Sequence, residues 1–135
     1  MMKFSELKEG NYVMVDFEGK MSRGEVSDLN HDEKQVCVET EVQGFWYEPA
    51  HIYPIPLNDE ELMRLNFTKE MLEDGGVKYK KGAFRLEIPE PDNFSHIDMW
   101  YREDIRHNPI VHYVHELQNQ YLQMTKVYLT DEVIA

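Results

Sequence analysis

The chain contains a single cysteine, Cys37, among its 135 residues. One cysteine cannot form an intramolecular disulfide. It alternates with Val36 and Val38, where a small buried side chain is expected rather than a nucleophile. The sequence also lacks an apolar run of about 20 residues, which a membrane-spanning helix needs. Its first residues include no apolar segment typical of a secretion signal. These absences favour a cytoplasmic protein that does not bind membranes.

Basic residues are scarce, because 14 Lys and Arg stand against 26 Asp and Glu, for a formal net charge of −12. The excess is divided evenly between residues 1–57 and 58–135, so it is not a tail. A negative surface repels phosphate groups, which disfavours direct nucleic-acid binding. A cationic protein partner stays open, as does the alternative of an acidic nucleic-acid mimic. The ordinary explanation is that surface acidity maintains solubility.

Motifs for nucleotide binding and nucleophilic hydrolysis are also missing. The sequence has no G-x-x-x-x-G-K-[ST], no G-x-G-x-x-G and no G-x-S-x-G. We therefore predict no cofactor, and the interpretation leans away from an enzyme. The leading hypothesis is a non-enzymatic interaction or accessory protein with a protein partner, and no oligomeric state is predicted.

Hydrophobic residues make up 41% of the chain and aromatic residues 12%, enough for a packed core. Residues 1–57 alternate apolar and polar side chains in short runs, with a hairpin signal at Glu18-Gly19 and a glycine at Gly24 that suggests a bulge or bend. We predict that this part forms a small SH3-like β-barrel lobe. Its expected strands are Tyr12–Phe17, Lys20–Val26, Gln35–Val42, Phe45–Glu48 and an edge strand Tyr53–Leu57.

Residues 58–135 are predicted to form an α+β lobe of helix, antiparallel sheet and helix. The first helix begins at the cap Asn58, with a further turn capped by Thr68, and the last lies within 109–124. Expected strands are Val77–Lys80, Ala83–Ile88, Phe94–Arg102 and Asp104–His107. A buried stripe is expected at Val114, Leu117, Tyr121 and Met124. Because a single core below about 70–80 residues is marginal, we expect the two lobes to pack as one compact unit.

The sharpest candidates for chemistry are His107, His112, His115 and Glu116. His112, His115 and Glu116 stand at helical spacing, and three such ligands suit a catalytic zinc. Their order, H-x-x-H-E, matches neither H-E-x-x-H nor H-x-x-E-H. A metal-dependent hydrolase is therefore kept as an alternative to a His-rich first helical turn in which Glu116 favours the positive end of the helix dipole. No catalytic residue or metal ligand is assigned.

Aromatic residues of the predicted barrel offer a binding alternative. If Phe45 and Tyr47 fill the barrel, Trp46 projects outward. It then either contacts the second lobe, which we favour, or forms an exposed binding aromatic. Together with nearby prolines, Trp46 and Tyr47 have the composition of ligand grooves in SH3-like modules, although the same residues could simply close the barrel. Trp46 and Tyr47 are the candidate partner-binding residues.

Three motifs together carry a resemblance to a known group of proteins. They are Leu7-x-x-Gly10-Asn11-x-Val13, then Ile52-x-Pro54-Ile55-Pro56-Leu57 with Glu61 and Phe67, and Tyr113-Val114-His115-Glu116-Leu117-Gln118-Asn119-x-Tyr121. With them the chain resembles a family of small uncharacterised proteins of gut-bacterial prophages and mobile elements. The resemblance spans most of the chain and implies a bacterial or phage intracellular protein, but no activity. In that family a Thr-Gly turn follows the last motif, where this chain has Thr125-Lys126.

Overall fold

The structure is a computed structural model that describes residues 2–132. Within this range the chain is α+β, with two five-stranded antiparallel sheets and two α-helices, so the predicted class is confirmed. Backbone contacts divide the chain into two compact units. Unit 1 consists of Met1–Pro56 and Tyr113–Asn119, and unit 2 consists of Leu57–His112 and Gln120–Ala135. The predicted second lobe includes residues 133–135, which lie outside the described residues.

The sheet of unit 1 has the strand order β4-β3-β2-β1-β5, with antiparallel neighbours throughout. Its strands are β1 Tyr12–Phe17, β2 Lys20–Asn30, β3 Gln35–Glu39, β4 Gly44–Tyr47 and β5 Ile52–Tyr53. The sheet does not close, so the predicted SH3-like barrel is not confirmed. Of the expected closing strand Tyr53–Leu57, only Tyr53 pairs with β1, in the two-residue strand β5. Pro54 and Pro56 have no N–H group to donate, and Pro56 forms a bridge with Tyr113 instead.

The sheet of unit 1 is open but curled. Phe17 on β1 stacks on Phe45 on β4, with ring centroids 4.7 Å apart, although these strands are not paired. Gly24 allows a close approach on β2, because a Cβ there would lie 2.5 Å from Cγ1 of Val38. Of the bulge or bend suggested at Gly24, the bulge is not found there: Gly24 stays in register with Val13, and the register shifts later in β2, between Val26 and Asp28.

Unit 2 contains α1, Asp59–Arg64, and a sheet in which each strand pairs with the next in sequence. Its strands are β6 Thr68–Met71, β7 Val77–Lys81, β8 Phe84–Ile88, β9 Asp98–Tyr101 and β10 Asp104–His107. The helical turn predicted from Thr68 is wrong, because Thr68–Met71 is a strand paired with β7. Strand pairing satisfies the backbone groups that an isolated helical turn would leave exposed.

Helix α1 has a defined start and end. The Asn58 side chain accepts a hydrogen bond from the backbone N–H of Glu61 at 2.9 Å, which confirms the predicted cap. At the other end Asn66 adopts a left-handed conformation with φ 67°. The N–H of Phe67 then reaches back to the carbonyl of Leu62 at 3.1 Å. This Schellman closure turns the chain directly into β6.

The second helix, α2, is Val114–Thr125, which begins within the predicted stretch 109–124 and ends one residue beyond it. Pro109–Tyr113 is not helical. Tyr113 instead forms an isolated bridge with Pro56. The predicted stripe is buried: Val114, Leu117, Tyr121 and Met124 are all core residues. The boundary between the units falls inside this helix, after Asn119, whereas the sequence placed the whole helix in one lobe.

Candidate functional site

The candidate metal ligands do not share one unit. His112 belongs to unit 2, and its backbone carbonyl accepts a hydrogen bond from Leu57 at 3.0 Å. His115 belongs to unit 1 and is only 1% exposed. Its Nε2 lies 3.5 Å from Oε2 of Glu6, yet neither ring nitrogen meets hydrogen-bond geometry. The two groups attract as an ion pair only when the imidazole is protonated.

Glu116 and His107 have other contacts. The Glu116 carboxylate accepts a hydrogen bond from the backbone N–H of Tyr113 at 3.1 Å, which caps the start of α2. His107 and His96 both lie near Asp98, at 3.6 and 3.4 Å from its Oδ1. Across residues 2–132, no group of three or more His, Cys, Asp or Glu is arranged to hold a metal ion.

The first half of α2 is joined to the start of β1 by the side chain of Gln118. Its Oε1 accepts a hydrogen bond from the backbone N–H of Tyr12 at 2.8 Å, and its Nε2 donates to the carbonyl of Gly10 at 2.9 Å. The Gln118 side chain is buried. One amide thus hydrogen-bonds to two backbone groups at the start of β1.

Two asparagines extend this network. Asn11 Nδ2 donates to Asn119 Oδ1 at 3.0 Å, and Asn119 Nδ2 donates to the carbonyl of Glu6 at 3.1 Å. We call Asn11, Gln118 and Asn119 the amide clasp. Nearby, the N–H of Val114 donates to the carbonyl of Ile55 at 2.8 Å. Within unit 1, the start of α2 is therefore bonded both to the residues around Gly10–Tyr12 and to the backbone of Ile55.

The candidate partner-binding residues lie at a cleft of about 330 Å³ in unit 1. Trp46 is 47% exposed and stands opposite Cys37 in the β3–β4 register, which fits the expected outward orientation. Tyr47 points inward and is largely buried. The cleft is lined by Asp16, Phe17, Gln35, Phe45, Trp46, Tyr47, Glu48 and His51. We call this surface the Trp46 cleft.

The Trp46 cleft combines aromatic faces with carboxylates. The stacked pair of Phe17 and Phe45 forms one wall, and Asp16 and Glu48 supply negative charge. Burial, and then the charge of Cys37, raises the pKa of Tyr47. Its phenol is therefore neutral at physiological pH. Aromatic faces and carboxylates both attract cations, so this arrangement suits a Lys or Arg side chain.

A smaller apolar pocket of about 100 Å³ adjoins the Trp46 cleft. The two concavities share Phe17, Phe45 and Tyr47 as walls. Val42, which is 84% exposed, stands at its rim. The remaining lining residues are Val15, Lys20, Ser22, Thr40 and Gln43. We call this surface the Val42 pocket.

Sequence reasoning missed much of this site. Asp16, Phe17, Glu48 and His51 line the Trp46 cleft but were not singled out. The sequence contains one signal for Phe17. It is a large aromatic residue at the end of a strand, directly before the Glu18-Gly19 turn, where side chains are exposed to water. No sequence signal singles out Glu48 or His51 as neighbours of β1, since their position depends on the pairing of β5 with β1.

Unit 2 contains a separate charged cluster. Asp59 accepts a hydrogen bond from the buried Tyr79 hydroxyl at 2.7 Å and pairs with Lys69 at 2.9 Å. The hydrogen bonds from Lys69 and then Tyr79 lower the pKa of Asp59. Burial, followed by the bond to Asp59, raises the pKa of Tyr79. The cluster fastens α1 to β6 and β7, so its role is structural.

Comparisons with protein-family models, curated proteins and solved structures find no match for this chain. Among the described residues, no helix is long and apolar enough to span a membrane.

Proposed function

We propose that this chain is a non-enzymatic interaction protein that binds a basic segment of a partner protein in the Trp46 cleft. The observation that carries the proposal is the half-exposed Trp46 beside the stacked Phe17–Phe45 pair, with Asp16 and Glu48 in the same cleft. Exposed aromatic residues at a concave surface are typical anchors in protein interfaces. The carboxylates favour a cationic occupant.

Electrostatics support the same choice of partner. A cation over an aromatic face gains about 0.5–1 kcal/mol at exposed sites. The net charge of −12 gives the chain a field that attracts basic segments and raises their association rate. The contact itself therefore contributes a modest binding free energy, while the net charge makes association with the basic segment fast and dependent on salt.

The cleft itself favours binding over catalysis. No Ser, Thr or Cys is among its described lining residues, and the Tyr47 phenol is held neutral. An acidic nucleic-acid mimic has less support, because several carboxylates of unit 2 are neutralised by nearby cations rather than forming a phosphate-like array. These ion pairs are Asp59–Lys69, Glu70–Lys78 and Asp104–Arg106.

The structural class and cellular setting are part of the proposal. The curled meander of unit 1, followed by a short helical turn at Pro49–His51 before β5, supports an opened relative of SH3-like barrels. The three-motif resemblance supports a cytoplasmic accessory protein of bacterial or phage origin. A protein partner that presents a basic segment agrees with both.

Fluorescence of Trp46 tests the proposal directly. The chain has two tryptophans, so Trp100→Phe leaves Trp46 as the single reporter. The probe is a capped heptapeptide with two lysines separated by alanine, titrated at about 0.15 M salt. Binding should be saturable, and Trp46→Ala, measured by calorimetry, should weaken it about two- to fivefold. A matched peptide with two glutamates should not bind.

Matched charge variants separate a specific site from general attraction. Asp16→Asn with Glu48→Gln should weaken binding of the lysine peptide by about five- to tenfold. Glu73→Gln with Glu103→Gln removes the same charge from exposed positions of unit 2 and should change binding by less than about twofold. Equal weakening by both pairs would show non-specific attraction and defeat the proposal.

A further inference from the structure

We infer that the Trp46 cleft and the Val42 pocket are two subsites for one extended segment. The segment carries a cationic residue and an aliphatic residue two positions apart. This inference rests on the proposed function and specifies its ligand. The cation occupies the Trp46 cleft, and the aliphatic side chain occupies the Val42 pocket.

The Trp46 cleft and the Val42 pocket have three walls in common. Phe17, Phe45 and Tyr47 line both concavities, so the two spaces adjoin across the stacked Phe17–Phe45 pair. Side chains on one face of an extended segment are two positions apart, or about 7 Å. A segment that crosses the stacked rings therefore presents one side chain to each subsite.

The contrast in chemistry assigns the occupants. The Trp46 cleft contains Asp16 and Glu48, whereas the Val42 pocket contains no carboxylate among its described lining residues. Val15, Val42 and the shared aromatic rings give the Val42 pocket apolar walls. Lys20 stands at its rim, and its ammonium group disfavours a second cation there. An aliphatic side chain, which the volume of about 100 Å³ can hold, is the complementary choice.

Val42 offers a way to alter one subsite alone. It is 84% exposed in the β3–β4 turn, so replacing it should not disturb the core. Val42→Ser removes an apolar wall from the pocket and leaves Asp16, Trp46 and Glu48 in place. Any loss of affinity in this variant therefore reports on the aliphatic subsite.

Peptide calorimetry tests the inference with three capped heptapeptides that differ only in their central residues: Lys-Ala-Leu, Lys-Ala-Ala and Lys-Leu-Ala. Lys-Ala-Leu should bind about tenfold more tightly than Lys-Ala-Ala. Lys-Leu-Ala, in which adjacent side chains point to opposite sides, should bind like Lys-Ala-Ala. Val42→Ser should reduce the advantage of Lys-Ala-Leu to about threefold or less without weakening Lys-Ala-Ala.

The outcomes separate the two proposals. If all three peptides bind equally and Trp46→Ala weakens each one, the cationic cleft stands and the second subsite is refuted. If Lys-Leu-Ala binds as tightly as Lys-Ala-Leu, the two-position spacing is wrong. If the peptides bind with no dependence on Trp46, the proposed function fails and the inference fails with it.

Discussion

The two halves of α2 are anchored by different physics. In its first half, the amide clasp exchanges hydrogen bonds with the backbone of Glu6, Gly10 and Tyr12 in unit 1. In its second half, the Tyr121 ring packs edge-on against Phe84 in unit 2, with centroids 4.9 Å apart. One continuous helix thus serves two units through polar satisfaction in one and aromatic packing in the other.

This difference explains why one turn of the helix is rich in Asn and Gln. Amide side chains are poor at filling a core, but they can donate and accept at once. At the start of β1, the clasp supplies hydrogen-bond partners for the N–H of Tyr12 and the carbonyl of Gly10. In unit 2 the backbone groups are already paired between strands, so an aromatic ring holds the helix better than an amide side chain would.

Removing the Tyr121 ring should lower the free energy of unfolding more than removing the amide clasp does. Tyr121→Ala leaves a cavity against Phe84, and we expect the free energy of unfolding to fall by about 3–5 kcal/mol in urea denaturation. Tyr121→Phe keeps the ring and should cost less than about 1 kcal/mol. Hydrogen exchange should rise first in β8. An equal rise in β1 would mean that the two anchors are not separable.

Removing the amide clasp should have the second-largest effect on the free energy of unfolding. Gln118→Ala leaves the N–H of Tyr12 and the carbonyl of Gly10 buried without their partner, and we expect a loss of about 2–3 kcal/mol in the free energy of unfolding. Gln123→Ala is the matched control, because Gln123 lies on the same helix but is exposed. Its hydrogen bond from Arg106 is exposed to solvent, and the same Arg106 nitrogen also donates to Gln120, so the change should cost less than about 0.5–1 kcal/mol. If the two variants lose equal stability, the clasp is not an anchor.

Lowering the pH should reduce the stability that the charged Asp59 cluster of unit 2 contributes, and should leave the contribution of the neutral amide clasp of unit 1 unchanged. The pKa of Asp59 is lowered in the folded state. Its ionised carboxylate therefore contributes its full stability at pH values above the ordinary pKa of 3.8. This contribution is lost as the pH falls through the lower pKa of the folded state. Asp59→Asn should cost about 1 kcal/mol at pH 7, measured by urea denaturation, and progressively less below pH 3.8.

Two controls accompany the pH series. Glu73→Gln, at an exposed position, should leave stability unchanged across the range. The cost of Gln118→Ala should not vary with pH over the same window, because amides do not titrate. A cost of Asp59→Asn that stays constant down to the most acidic pH would contradict the assignment.

The smallest effect should be a gain at the end of α2. Lys126 follows the helix with φ 64°, a left-handed conformation that strains any residue with a Cβ. Lys126→Gly should raise the free energy of unfolding by about 0.5–1 kcal/mol. Lys126→Ala retains the strain and should give no such gain in thermal denaturation.

Local patterns predicted much of the fold. Strand β1 has the predicted bounds, Tyr12–Phe17, and the Glu18-Gly19 turn joins it to β2 by a two-residue loop. The Asn58 cap is confirmed as well. Each feature depends on residues within a few positions of one another, where alternation, positive φ and capping are visible in the sequence.

The prediction failed where strand pairing competes with a local preference. The stretch that begins at Thr68 looks like a capped helical turn, yet it pairs with β7 as a strand. Pro54 and Pro56 shortened the strand expected to close the barrel. In both places the outcome depended on whether backbone N–H and C=O groups found partners elsewhere in the chain.

The sequence by itself determined the α+β class, the β1–β2 hairpin and the buried stripe of α2, because these follow from short-range periodicity and turn chemistry. Only the tertiary structure decided what the polar residues of that helix do. The partners of Gln118 lie more than 100 positions away along the chain. Likewise, the Trp46 cleft draws on β1, β3 and β4, and only the curl of the sheet brings them together.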